Sequence, residues 1–91
     1  MHRFLNRQSL REQRGLLRSL LIYHGIPWRH RQLVNFYRQF IGPDDLCFDI
    51  GAHVGNRVRA WRALDATVVA VEPQPVCFRF LHRWYGNDPR V

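Results

Sequence analysis

The sequence predicts an α/β fold: a parallel sheet of two to three strands preceded by two helices. Two short runs and the residues between them carry that prediction. Leu46–Ile50 is apolar except for Asp49, and Thr67–Val71 is almost wholly β-branched. Between them lie two glycines and a short amphipathic pattern. Continuous apolar strands joined through a helix suit a parallel sheet covered by helices, so the unit is read as βαβ.

The chain has 91 residues, a size at which burial on folding is still marginal, so one small core is expected. Its net charge of +7 is unevenly placed. Residues 1–41 hold eight arginines against the single acid Glu12, whereas residues 42–91 hold six arginines against six acids. That shift, together with Gly42-Pro43, divides a basic helical segment (1–41) from the βαβ segment (42–91). No internal repeat, signal peptide or membrane-spanning run is evident, and a reducing, cytoplasmic setting is the expectation.

Ser9-Leu10-Arg11-Glu12 has the form of a capping box and predicts a helix start at Ser9. Leu10, Leu16, Leu17, Leu20 and Leu21 form one apolar stripe, with Arg7, Arg11, Arg14 and Arg18 opposite; Gly25 and Pro27 supply the stop. A basic amphipathic helix of this kind can lie on an anionic membrane or on nucleic acid phosphate, with salt-dependent affinity, or can simply present a solvated face. All fourteen basic residues are arginine, which points to base-composition bias and favours the solvated face. Trp28 to Phe40 reads as a second helix, burying Leu33, Phe36, Tyr37 and Phe40.

After the first strand, Gly51 and Gly55 let the backbone take positive φ and approach a ligand closely. Asn56 is the expected N-cap of a helix reaching about Leu64, with Val54, Val58 and Trp61 inward and Arg57 and Arg62 outward. Asp49, buried in the strand, needs partners, and the backbone N–H groups of the glycine turn are the nearest. The second strand delivers Glu72, placed to accept hydrogen bonds from a ribose diol. Asp49, Gly51, Gly55 and Glu72 thus converge on the carboxyl edge of the sheet. Pro75 opens the last helix, whose apolar face is Val76, Cys77, Phe80, Leu81 and Trp84; Gly86 is the expected C′ glycine and Asn87–Val91 the approach to a third strand.

The dinucleotide fingerprint is absent, because the two glycines are spaced G-x-x-x-G, and a P-loop is excluded in a chain without lysine. The five histidines are scattered and the cysteines lie thirty residues apart, at Cys47 and Cys77, a spacing unlike that of a zinc site. Ser9 and Ser19 both fall in the basic helix, away from any triad.

D-I-G-A-H-V-G-N followed by V-V-A-V-E-P resembles the first two motifs of class I S-adenosylmethionine-dependent methyltransferases, in particular the FkbM type. The likeness covers about Asp44 to Val91 and implies an incomplete Rossmann-like sheet. It implies that Asp49 sets the loop and the cofactor's amino-acid moiety, and that Gly51 and Gly55 run under the methionine part. Glu72 would hold the ribose hydroxyls, with Pro73 and Gln74 flanking the adenosine. His53 stands where the family more often has asparagine, and an imidazole can donate or accept there. Asn56 completes the expected site.

The resemblance also implies methyl transfer to the oxygen of a sugar or small metabolite. In such folds the first strand pairs on both edges, and here its second edge has no partner strand, an aggregation liability. The chain is therefore expected to be a truncated or split methyltransferase that needs a missing C-terminal half, binds cofactor weakly and does not turn over alone. The alternatives are a basic module for anionic membrane or nucleic acid, or a non-functional reading frame.

Overall fold

The computed structural model describes residues 7–91, the side chains at 7–9 and 22–23 excepted. The side-chain contact expected of Ser9, Arg7's place on the helix face and His2 therefore lie outside what the structure describes. The element order is α1 (Arg7–Tyr23), α2 (Pro27–Tyr37), β1 (Leu46–Ile50), α3 (Asn56–Ala63), β2 (Thr67–Val71) and α4 (Pro75–Tyr85). The result is a small α/β fold with four helices and a two-stranded parallel sheet. No described helix is long and apolar enough to cross a membrane.

Both strands fall where the sequence places them, because a β-branched run has few alternatives once a helix must connect it to its neighbour. They pair in parallel from Leu46 with Thr67 to Ile50 with Val71. Phe48 and Asp49 stand opposite Val69 and Ala70, so Asp49 shares a face with Val68 and Ala70 while Leu46, Phe48, Ile50, Val69 and Val71 share the other.

Helices cover the Asp49 face alone. Ala52, Val58, Ala60, Trp61, Ala66, Val68 and Leu81 form the core there, with Tyr37 of α2 edge-on to Trp61 at 5.3 Å between ring centroids. On the other face Leu46, Phe48, Ile50, Val69 and Val71 remain exposed, correcting the expectation of a sheet covered by helices. Among the described residues no strand joins the free edge of β1. Asn87–Val91, read as the approach to a third strand, forms turns beside β2, where Val68 N donates to Arg90 O at 2.8 Å, and the sheet has two strands among the described residues.

The helices differ from expectation at their ends and faces. α1 already includes Arg7, so Ser9 is no helix start; Pro27 opens α2 instead of stopping α1, as a fixed φ and a missing N–H suit a first turn. Only Leu16 and Leu20 of the five leucines are half-buried, since α1 meets α4 along one narrow line; Leu10, Leu17 and Leu21 are exposed. In α2, Leu33, Val34 and Tyr37 turn inward and Phe36 is exposed; Phe40, expected in the same helix, is exposed in the turn that follows it. In α4, Cys77 and Leu81 are buried and Trp84 is exposed. Gly86 closes α4 at φ −60°, right-handed, so it is no left-handed C′ residue.

His30 of α2 carries a pH consequence. Its Nδ1 is buried without a hydrogen-bond partner among the described residues. Burial, and then the neighbouring Arg59 and His24, hold its imidazole below the ordinary 6.5. The unfolded chain therefore takes up a proton on acidification that the fold resists, so this contribution is present above that value and is lost as pH falls through it. Melting temperature is expected to drop between neutral and mildly acid pH, and His30→Leu should flatten that part of the profile. An unchanged slope in the variant would refute the assignment.

Candidate functional site

The loop between β1 and α3 turns at Gly51, φ +76°, and closes at Gly55, φ +79°, with His53 also left-handed at φ +56°. Gly51 N and Ala52 N both donate to Val71 O, at 2.8 and 3.0 Å, which ties the start of the loop to the end of β2. Those two amides are thereby taken. Asp49, 2% exposed, instead receives Arg57 Nε on Oδ1 at 2.7 Å. Arg57 is the second residue of α3, and a helix that begins at the strand's carboxyl end brings its first turn back toward that strand. The glycine-turn amides are thus not the partners of Asp49, and Arg57 is not an outward residue; it also reaches Gly51 O at 3.1 Å.

Asp49 Oδ2 is buried and has no hydrogen-bond partner among the described residues. Removing Arg57 leaves a buried carboxylate with neither oxygen paired. Such losses reach about 3–5 kcal/mol in fully buried pairs, but the Arg57 side chain is 35% exposed and water can take part of its place. Arg57→Met is therefore expected to cost about 2 kcal/mol by urea unfolding. Asp49→Asn combined with Arg57→Met should recover part of that loss; a double variant no better than the single one would exclude the buried charge as its cause.

Glu72, 9% exposed, points back at the loop as expected from the acid's position. Oε1 accepts from His53 N at 2.7 Å and Oε2 from Gln74 N at 2.8 Å, so one carboxylate fastens both the glycine loop and the turn into α4. Cys77 Sγ donates to Gln74 Oε1 at 3.6 Å, and burial, then Glu72, pushes the Cys77 thiol above its ordinary value. His53 and Gln74 line a cleft of about 360 Å³ whose far wall is Glu12, Leu16 and Ser19 of α1.

The two glycines serve different ends. A Cβ on Gly51 would meet nothing within 4 Å, whereas one on Gly55 would lie 2.9 Å from Leu81 Cδ2 and 3.1 Å from Tyr85 Cε2. Gly55 is thus a packing glycine that lets α4 approach the loop, and Gly51 is open in front. Gly55, not Asn56, is the N-cap of α3, and Asn56 lines a separate cleft with Arg29, Gln32 and Phe36. Pro73 is exposed beside Glu72. Of the eight expected site residues, Asp49, Gly51, His53, Glu72 and Gln74 gather at the sheet's carboxyl edge, while Gly55 and Asn56 face neighbouring helices.

Two contributors escaped the sequence reading. Arg57 could have been found by asking which cation a buried acid must meet. His24 carried no such signal: its Nε2 lies 2.8 Å from Val54 O, a contact thirty residues apart that requires the Nε2–H tautomer and pins the α1–α2 corner to the glycine loop. Comparison of the chain with protein-family models, with curated proteins and with solved structures finds no match.

Proposed function

We propose that the carboxyl edge of this sheet is an S-adenosylmethionine site of the FkbM type, in a Rossmann-like fold, held by Asp49, Gly51, His53, Glu72 and Gln74. The observation that carries the reading is a buried acid with one oxygen unpaired, beside an open glycine and across from a second acid bonded to the same loop.

The donor set suits the cofactor's chemistry. Asp49 Oδ2, buried beside the ion pair with Arg57, lacks a donor among the described residues, and an ammonium group admitted there would supply one. Each Glu72 oxygen holds one backbone N–H and keeps a further lone pair for a ribose hydroxyl. The clear space at Gly51 admits a ligand against the backbone, and the cleft lined by His53 and Gln74 is large enough for part of one. S-adenosylmethionine, when bound, supplies an electrophilic methyl group, for which the resembled family uses an acceptor oxygen on a sugar or small metabolite. The residues named here bind and orient. The two free thiols, Cys47 and Cys77, suit a reducing, cytoplasmic setting.

Isothermal titration of the whole chain with S-adenosylmethionine tests the reading. Saturable binding is expected, lost in Gly51→Val and weakened at least about tenfold in Asp49→Asn, because a buried charged hydrogen bond contributes about 1.5–3 kcal/mol. No binding by the folded chain, or equal binding by both variants, would overturn it.

A further inference from the structure

We infer that the outward face of α1 is a docking surface for an anionic phospholipid membrane. A helix whose leucines all served the core would turn only polar side chains and Gly15 to water. This one does not. Leu10, Leu17 and Leu21 are 41%, 59% and 61% exposed, while Leu16, Ser19 and Leu20 take up the contact with α4. At 100° per residue the three exposed leucines fall within a narrow arc, and Arg14, Arg18 and Arg11 follow immediately along one side of it. All three arginines are exposed, and none of the ion pairs formed among the described residues involves them.

An apolar ridge flanked by exposed cations fits one partner better than any other. Phospholipid offers acyl chains for the leucines just beneath anionic headgroups for the arginines, and it takes a helix lying in the interface plane. Nucleic acid would use the arginines and leave the leucines in water, and among the described side chains of α1 no aromatic one lies on this arc to stack on a base. The charge distribution agrees: the whole net charge of +7 belongs to residues 1–41, whereas residues 42–91 are neutral. A solvated basic face accounts for the arginines but not for three exposed leucines in register with them. The inference is independent of the cofactor reading.

The test is co-flotation of the whole chain with phosphatidylcholine vesicles, with and without phosphatidylserine, at low and high salt. Binding is expected only with phosphatidylserine, and it should weaken as salt rises. Arg14→Glu should lower the partition coefficient at least about fivefold, since each basic residue near such a surface contributes on the order of that factor. Leu17→Gln with Leu21→Gln should lower it at least about tenfold with all arginines intact, because two apolar side chains no longer enter the interface. These positions are exposed, so circular dichroism should remain that of the parent. The exposed sheet face is the obvious competitor, and Phe48→Thr with Ile50→Thr should therefore bind vesicles as the parent does. Equal binding to pure phosphatidylcholine, full binding by the leucine double variant, or loss of binding in the sheet variant would each overturn the inference. So would tighter binding to a single-stranded oligonucleotide that the leucine variant retains, which would reassign the face to nucleic acid.

Discussion

Glu72→Ala is expected to remove about 3–5 kcal/mol of folding stability, the largest loss from any single charged residue in the chain. Its carboxylate accepts two backbone N–H groups, from His53 and Gln74, at 2.7 and 2.8 Å. Charge-assisted bonds of that kind contribute about 1.5–3 kcal/mol each, and alanine leaves both amides without an acceptor in a position only 9% exposed. A domain of this size has a total stability toward the low end of about 5–15 kcal/mol, so the variant should be close to unfolded at ambient temperature. Glu72→Gln separates the two bonds. Its carbonyl oxygen can still accept one amide, but its NH₂ group would face the other, so roughly half the loss should remain. Urea midpoints of the three proteins provide the comparison. An alanine variant within about 1 kcal/mol of the parent would mean that water replaces the carboxylate freely and that the loop is not held by it.

The same residue separates structure from ligand binding. Glu72→Gln remains folded enough to titrate, yet presents a donor where ribose hydroxyls would need an acceptor. A cofactor site therefore predicts that S-adenosylmethionine affinity falls further than stability does. If Glu72 serves the loop alone, the two should fall together.

What could be read in the sequence divides along a physical line. β1 and β2 were legible to the residue because their side-chain chemistry and their connection left one solution, and the position of Glu72 followed from the end of β2. The faces of the helices were legible only where a partner was certain. Val58 and Trp61 of α3 must lie on the sheet, and they do. The leucines of α1 span an arc broader than the single contact α4 provides, and periodicity cannot say which part of a broad stripe finds a partner. Phe36 was misplaced for the same reason, since α2 meets α3 along Leu33, Val34 and Tyr37, and Phe40 was misplaced because the helix ends at Tyr37 and leaves it in the turn beyond. Asp49 presents a third case. That it needed a partner was evident, but the choice between loop amides and Arg57 depended on where Val71 O falls, which only the register of the strands determines.

The two loop glycines give the other large effect, and they give it unequally. Gly55→Ala is expected to cost about 2–4 kcal/mol. A left-handed backbone at φ +79° costs a side-chain-bearing residue about 1–2 kcal/mol, and the new methyl, 2.9 Å from Leu81 Cδ2, adds overpacking of similar size. Gly51→Ala carries the first of these terms at φ +76° but meets no neighbour, so about 1 kcal/mol is expected. Shortening the neighbour tests the cause: Leu81→Ala with Gly55→Ala should lose less than the two single changes together, by about 1 kcal/mol or more, since each relieves the other's defect. Strict additivity would place the whole Gly55 effect in its backbone conformation. Gly51 answers to a different measurement. Its substitution by valine should leave most of the fold intact while closing the open space before the loop, so a ligand approaching there would be excluded. Loss of S-adenosylmethionine binding in a Gly51→Val variant that remains folded would identify one glycine as kept for the ligand and the other for α4.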